Sequence, residues 1–161
     1  MSKEEFKILF DLHFDPIRRY LYYRCGDSEL ASDTAQDLFA RVWERGMALD
    51  PLKDRALLYK IASDMIVSRF RRKKTEQKFI NSIKLVNNES DPLVESEYSD
   101  LKKRYAKALI KMGEKRRSAF LLSREEELKY EEISERLGIS VKAVEKRISG
   151  ALEILKKGLI N

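Results

Sequence analysis

Cysteine, glycine, proline and long apolar runs are all scarce in this sequence. Cys25 is the sole cysteine among 161 residues, which excludes an intramolecular disulfide and favours a reducing cytoplasm. Six glycines and three prolines leave few helix breakers, so the Ala-, Leu-, Lys- and Glu-rich segments predict an all-α fold. No stretch approaches the roughly 18 apolar residues that a membrane helix needs, and no signal peptide opens the chain. We therefore expect a cytoplasmic protein with no membrane insertion.

Motifs for enzyme chemistry are also missing. The sequence contains no glycine-rich phosphate loop, HExxH, CxxC or GxSxG. His13 is the only histidine and Cys25 the only cysteine, so a zinc site or a nucleophile–base pair lacks partners. We interpret the adjacent Glu125, Glu126 and Glu127 as a solvated run. We predict a protein with no catalytic residues, no metal and no cofactor, and hence not an enzyme.

The charge of the chain favours a polyanionic partner. The formal net charge is +6 and the pI is near 9.3, although charge alone indicates only non-specific attraction. Five of the six residues from 69 to 74 are basic, and Tyr59 and Phe70 lie near this cluster. Such a segment can pair with phosphates and stack on bases. The alternative, a basic helix end that complements the macrodipole, needs fewer charges.

Residues 130–157 have the pattern of a helix-turn-helix. Gly138 suits a left-handed helix end and Ser140 an N-cap, and apolar stripes at helical spacing lie on both sides of this break. The second helix of such a motif enters the major groove, although a helical hairpin with a solvated charged face is the alternative. The residues predicted to face DNA are Val141, Lys142, Glu145, Lys146 and Ser149.

The chain divides into two small helical domains joined by a linker. We predict domains at residues 1–74 and 91–161, and a linker at 75–90 that could hold a short helix at 79–85. Between residues 85 and 101 the net charge is −5, with turn-forming residues that include Asp91-Pro92. The C-terminal domain should contain four helices, the last two forming the helix-turn-helix. Three arginines that precede this motif are candidate phosphate contacts: Arg116, Arg117 and Arg124.

Three helices are predicted in the N-terminal domain. The first should kink or restart at Pro16, the second should open at Asp27, and the third should follow Asp50-Pro51 with Leu57 on its buried face. Four polar residues of the second helix fall on one face: Asp33, Gln36, Asp37 and Arg41. Taken alone, this polar face is interpreted as solvated surface.

The order of these segments resembles bacterial RNA polymerase sigma factors of the extracytoplasmic-function class, over nearly the whole chain. Residues 31–43, ASDTAQDLFARVW, are similar to the family's core-polymerase-binding helix, in the pattern AxDxxQxxFxRxW. The resemblance implies that Asp33, Gln36, Asp37 and Arg41 dock on the polymerase clamp helices. The solvated-surface interpretation of that face then becomes the weaker one.

The third helix resembles the family segment WLYxIARN…DxxRR, which captures a base flipped from the nontemplate strand of the minus-ten element. Residues 57–64 are LLYKIASD, with departures at Leu57, Ser63, Asp64 and Ser68. Flipping costs only a few kcal/mol, which a pocket contact and backbone pairing can offset. The residues assigned to minus-ten DNA by this resemblance are Tyr59, Lys60, Ser63, Asp64, Arg69, Arg71 and Arg72.

The helix-turn-helix resembles the family segment YEEIAxxLGIS, which precedes the helix that reads the minus-thirty-five element. Residues 130–140 are YEEISERLGIS, and Lys129 stands where the family usually has a Ser or Thr cap. Loss of that cap would cost about 1 kcal/mol. The resemblance implies an alternative sigma factor whose partners are core RNA polymerase, promoter DNA and an anti-sigma factor. A stand-alone helix-turn-helix regulator and a protein-only helical adaptor are the alternatives.

Overall fold

The computed structural model describes residues 1–70 and 92–160 of the chain. Over these residues the predicted all-α fold is confirmed, with seven helices and no strand. The predicted linker at 75–90 and its short helix at 79–85 lie outside the described residues. The helices are α1 Lys3–Cys25, α2 Ser28–Glu44, α3 Arg55–Phe70, α4 Pro92–Lys111, α5 Glu114–Arg124, α6 Tyr130–Leu137 and α7 Val141–Ile160.

Helix α1 is one continuous element of 23 residues. Ser2 Oγ accepts a hydrogen bond from Glu5 N–H (3.1 Å), and the Glu5 carboxylate accepts one from Ser2 N–H (2.8 Å), which forms a capping box. Pro16 lies inside the helix, so the predicted alternative of a restart there is wrong. Buried side chains on both sides of Pro16, including Leu9 and Ile17, hold the helix together across the missing backbone hydrogen bond.

Helix α2 begins at a capped turn and packs its apolar side against α1. The Asp27 carboxylate accepts hydrogen bonds from Glu29 N–H (3.1 Å) and Leu30 N–H (3.2 Å), as its predicted capping role requires. The Phe39 ring lies edge-on to the Phe10 ring with centroids 5.3 Å apart. These contacts fix which side of α2 is turned toward solvent.

A turn precedes α3, which therefore begins later than predicted. Asp50 accepts hydrogen bonds from Leu52 N–H (2.8 Å) and Lys53 N–H (3.0 Å), so it caps this turn, and α3 starts only at Arg55. His13 lies 6% exposed on α1, with Nε2 2.6 Å from the Pro51 carbonyl oxygen, which ties the turn to α1. Leu57 was expected on the buried face but is 41% exposed, because the buried face is centred on Leu58.

Helices α4 to α7 form the C-terminal half. Helix α7 packs against α4, α5 and α6. A Cβ on Gly158 of α7 would lie 3.2 Å from Cβ of Ala108 on α4, so small residues let these two helices approach closely. The predicted four-helix arrangement is therefore present, with α6 and α7 as its last pair.

The two halves of the molecule are in contact and share one hydrophobic core. Helix α1 packs against α5, and α3 packs against α6. Arg117 of α5 is 4% exposed and donates hydrogen bonds to the backbone carbonyls of Tyr23 (2.8 Å), Leu109 (3.2 Å) and Arg24. Arg117 thereby satisfies carbonyl groups at the C-terminal end of α1.

Candidate polymerase-binding and nucleic-acid interfaces

The polar face predicted on α2 is present and open to solvent. Four side chains of this helix are exposed and recur at helical spacing: Asp33, Gln36, Asp37 and Arg41. The opposite side of the helix, which includes Leu38 and Val42 at 1% exposed or less, packs into the core. The face therefore presents acids, an amide and a cation together on a rigid support, a set suited to a charged protein surface.

An ion pair connects this polar face to α3. Arg69 Nη2 lies 2.5 Å from the Asp37 carboxylate, and Arg69 Nη1 donates a hydrogen bond to Thr34 Oγ1 (3.2 Å). The Asp37 side chain is 55% exposed and the Arg69 side chain 29%. One residue assigned to polymerase and one assigned to DNA are thus partners of each other.

The residues assigned to minus-ten DNA differ in accessibility. Lys60 and Asp64 are exposed on α3, whereas Ser63 Oγ accepts a hydrogen bond from Arg24 (2.7 Å). Tyr59, which the resemblance assigns to minus-ten DNA, is only 1% exposed. Arg71 and Arg72 lie outside the described residues.

The Tyr59 ring is enclosed by side chains from α1 and α6. Its centroid lies 5.0 Å from that of the Tyr20 ring and 6.0 Å from the guanidinium carbon of Arg136. Burial raises the pKa of Tyr59, against the opposing charges of Arg136 and Arg55. The phenol is therefore neutral at physiological pH.

The predicted helix-turn-helix is formed by α6 and α7. Gly138 ends α6 with φ of 65°, and Ser140 Oγ accepts a hydrogen bond from Ala143 N–H (3.1 Å), as expected for an N-cap. Ser134 Oγ donates to the Ile139 carbonyl (2.5 Å), which fixes the turn. At the start of α6, Glu132 accepts from Lys129 N–H (3.2 Å), so a side chain from within the helix caps it in place of residue 129.

Helix α7 presents the predicted reading face to solvent. Val144 and Ile148 are buried at 0% and 3%, which fixes the rotation of the helix. Its five candidate DNA-contacting residues are all exposed: Val141, Lys142, Glu145, Lys146 and Ser149.

The three arginines predicted to contact phosphates occupy different environments. Arg116 and Arg124 are exposed on α5. The prediction for Arg117 is wrong for this arrangement, because its guanidinium is buried among the backbone carbonyls that it bonds. Arg116 crosses α7 at Gly150, where a Cβ would lie 2.8 Å from the Arg116 Nε atom.

Glu126 is the residue that sequence reasoning misjudged most. It was interpreted as part of a solvated run, yet its side chain is 15% exposed and joins the two halves. Its carboxylate accepts hydrogen bonds from Arg19 Nε (2.6 Å), Arg19 Nη2 (3.0 Å) and Tyr23 Oη (2.6 Å). Burial opposes its ionisation, but the hydrogen bonds from Arg19 and Tyr23 outweigh burial and lower the pKa of Glu126. No local sequence pattern distinguishes Glu126 from Glu125 and Glu127.

Two kinds of feature are absent from residues 1–70 and 92–160, a metal-binding cluster and a membrane-spanning helix. Within those ranges, no cluster of three or more His, Cys, Asp or Glu side chains could hold a metal ion. None of the helices described is both long enough and apolar enough to cross a bilayer.

Two known protein families match the two halves of the chain that carry these candidate surfaces. Residues 9–76 match the family Sigma-70 region 2, and residues 102–155 match Sigma-70, region 4. The chain is 31% identical over 151 residues to the ferric citrate uptake sigma factor FecI of Escherichia coli, covering 92% of this chain and 87% of FecI. It is 26% identical over 174 residues to the ECF RNA polymerase sigma factor SigW of Bacillus subtilis, covering 98% of this chain and 90% of SigW.

The fold also has a counterpart among solved structures. The sigma factor RpoE of Bartonella quintana, solved in complex with the anti-sigma factor NepR, superposes with a TM-score of 0.60 at 22% identity. The superposition covers 97% of each chain. A stand-alone regulator or an adaptor would not require matches to both sigma regions in this order. The chain therefore belongs to the extracytoplasmic-function class of RNA polymerase sigma factors and acts as an alternative sigma factor in transcription initiation.

Proposed function

We propose that this sigma factor binds core RNA polymerase through Asp33, Gln36, Asp37 and Arg41, and reads promoter DNA through α3 and α7. The observation that carries the proposal is the α2 face, where all four polar side chains are exposed on a helix whose other side is buried. The protein works in the cytoplasm as a subunit that selects promoters and catalyses no reaction itself.

The minus-ten element is assigned to α3 and the segment that follows it. Tyr59 offers an aromatic surface for an unpaired base, and Lys60, Ser63 and Asp64 lie on the same helix. Arg69 stands at the end of the described part of α3, and Arg71 and Arg72 continue the basic segment along the sequence. Stacking on a flipped base and pairing with backbone phosphates are the contacts these residue types supply.

The minus-thirty-five element is assigned to the exposed N-terminal end of α7. Lys142 and Lys146 can donate to guanine edges or phosphates, and Glu145 can accept from cytosine. Val141 and Ser149 complete the surface, and the buried Val144 and Ile148 hold its orientation. Arg116 and Arg124 on α5 are proposed to contact the phosphate backbone beside it.

Substitution of Asp37 by Lys tests the polymerase assignment. Charge reversal at the centre of a docking surface should abolish binding to core RNA polymerase. The introduced ammonium group would repel a basic partner surface that the Asp37 carboxylate attracts. The measurement is capture of purified core RNA polymerase by the immobilised protein.

Asp11→Lys is the matched control for Asp37→Lys. The Asp11 side chain is 56% exposed and pairs with Lys7 at 2.7 Å, much as Asp37 is 55% exposed and pairs with Arg69 at 2.5 Å. The control should bind polymerase as the wild type does. Equal binding by both variants would overturn the assignment to α2.

An anti-sigma factor is the third proposed partner, by analogy with the RpoE–NepR complex. A cleft of ≈ 910 Å³ between the two halves is lined by leucines and aromatics and by four basic residues, against Glu125 as the one acid in its lining. That chemistry suits an amphipathic helix with acidic flanks. Leu152 lines this cleft and is 52% exposed, so Leu152→Asp should weaken anti-sigma binding and leave docking through α2 intact.

A further inference from the structure

An arginine of α5 lies across α7 at a glycine. A Cβ at Gly150 would lie 2.8 Å from Nε of Arg116 and 3.3 Å from its Cδ, so the arginine occupies the space that any other residue would fill. Glycine is a poor residue for a helix interior, because it leaves the backbone freer than alanine does. The passage of Arg116 gives Gly150 a role that offsets this disadvantage.

The charge that lies over Gly150 is not neutralised within the protein. Among the residues that the structure describes, Arg116 makes no hydrogen bond or ion pair. Lys146 precedes Gly150 by one helical turn, so it lies on the same side of α7, and it too is exposed. Glu153, three residues beyond Gly150, forms no ion pair with either cation. Like charges on adjacent turns repel each other, so a bound anion would be stabilised by both.

The position of these two cations indicates that the anion is a DNA phosphate. Gly150 directly follows Ser149, the last residue of the reading face of α7. A helix in the major groove has a DNA backbone beside it, and cations at its edge contact phosphates and set its register. The planar guanidinium of Arg116 can donate two hydrogen bonds to one phosphate. A side chain already held in one orientation loses less conformational entropy when it binds.

We propose that Gly150 is a positioning residue that holds Arg116 across α7, where Arg116 and Lys146 together bind one phosphate beside the minus-thirty-five element. The proposal rests on the assignment of α7 to that element made above. A methyl group at position 150 would turn the Arg116 guanidinium away from this phosphate. The atoms that have to move belong to a flexible, exposed side chain, so the fold tolerates the change.

The substitution Gly150→Ala should have opposite effects on stability and on DNA binding. Because alanine is the better helix former, the thermal unfolding midpoint should rise by about 2–4 °C. Affinity for promoter duplex should fall about tenfold, and the dependence of log affinity on log salt should lose about one unit of slope. A glycine required only for packing would instead lose stability together with affinity.

The DNA probe is a duplex selected from a random-sequence library by the wild-type holoenzyme. Holoenzyme assembled with each variant is titrated on this duplex at several salt concentrations. Arg116→Ala should reproduce the loss seen in Gly150→Ala, and Gly150→Ala should then have no further effect in the Arg116→Ala background. Lys115→Ala is the matched control, because it removes a charge from the neighbouring exposed residue and should leave binding unchanged.

A readout without DNA or polymerase tests the position of Arg116 itself. In the isotopically labelled free chain, a nuclear Overhauser contact should join the Hε proton of Arg116 to the α protons of Gly150. Arg116→Lys removes the Hε resonance and thereby assigns it. The absence of this contact in the wild type would overturn the positioning role.

The remaining outcomes separate the phosphate site from the proposed function. Additive losses from Gly150→Ala and Arg116→Ala, or an unchanged salt slope in both, would overturn the claim that Gly150 acts through Arg116 on a phosphate. A wild type that captures no polymerase and selects no duplex would overturn the proposed function and the phosphate assignment with it. The contact between Arg116 and Gly150 in the free chain would still decide the positioning role.

Discussion

The two helices assigned to promoter DNA differ in how accessible they are. Helix α7 presents Lys142 and Lys146 directly to solvent, whereas α3 keeps Tyr59 under α6. The physical chemistry of the two readouts explains why they would be treated differently. A major-groove helix discriminates by hydrogen-bond pattern, but an aromatic platform stacks on any base. An open Tyr59 would bind single strands indiscriminately, so covering it has a use that covering α7 would not have.

The interface between the two halves also differs in hydrogen bonding from one end to the other. Where α1 meets α5, Arg117 satisfies three backbone carbonyls and Glu126 is fully engaged. Where α3 meets α6, Arg55 Nε and Arg136 Nε are buried without a partner among the described residues, whereas Arg24 Nε is such an atom at the α1–α5 end. Each such atom costs about 1–3 kcal/mol. The α3–α6 end should therefore separate before the α1–α5 end.

Arg117→Ala should have the largest effect on stability. It tests the α1–α5 end of the interface, where Arg117 bonds three backbone carbonyls. Removal of the guanidinium leaves buried carbonyls unpaired and should lower the free energy of unfolding by about 3 kcal/mol. Urea denaturation followed by circular dichroism measures the change. Arg116→Ala, the exposed neighbour, should change the free energy of unfolding by less than about 0.5 kcal/mol. A similar loss in both variants would contradict the structural role given to Arg117.

Lys146→Glu should have the next largest effect. It tests the assignment of the exposed face of α7 to promoter DNA. Reversal of one contacting charge should weaken binding to promoter duplex by about 2 kcal/mol, roughly 30-fold, with polymerase binding unchanged. A filter-binding titration of the holoenzyme on promoter DNA at fixed salt measures the affinity. Lys157→Glu makes the same change at the other end of α7 and should have little effect. Equal losses would mean that only the net charge of the helix matters.

Acidification should have the smallest effect and acts on the contact of Glu126 with Arg19 and Tyr23. The pKa of Glu126 is lowered in the folded protein, so its stabilising contribution is complete above the ordinary glutamate value of about 4.3. The contribution is lost as the pH falls through the lowered folded-state pKa. The free energy of unfolding of the wild type should therefore fall in strongly acidic buffer, as measured by urea denaturation at each pH. Glu126→Gln should lack this component, and parallel curves for the two proteins would contradict the prediction.

The helices and their exposed faces were predictable from local pattern. Helical spacing correctly placed Asp33 and Asp37 of α2, and Lys142 and Lys146 of α7, on solvent-facing surfaces. The turn chemistry of Gly138 was equally local and equally correct. These features depend on residues within one or two turns of each other, which is the range over which periodicity carries information.

The contacts between the halves were not predictable in the same way. Arg117 and Glu126 look like surface residues until α1 is placed beside α5, and their partners lie 94 and 107 residues away in the chain. A restart at Pro16 was wrongly expected for a related reason, because packing on both sides of the proline keeps the helix continuous. Tyr59 was assigned a role by its type and position, whereas its accessibility depends on α6.

The distance between two fluorescent labels, one in each half of the molecule, tests the account most directly when it is measured with and without core RNA polymerase. The protein labelled at Lys53→Cys and Glu153→Cys would be measured free and then with purified core RNA polymerase. We expect a short separation in the free protein, a longer one in the holoenzyme, and no lengthening when Asp37→Lys is added to the labelled chain. A separation that stays short while polymerase is bound would contradict the account, because Tyr59 would then remain covered in the complex that has to open the promoter.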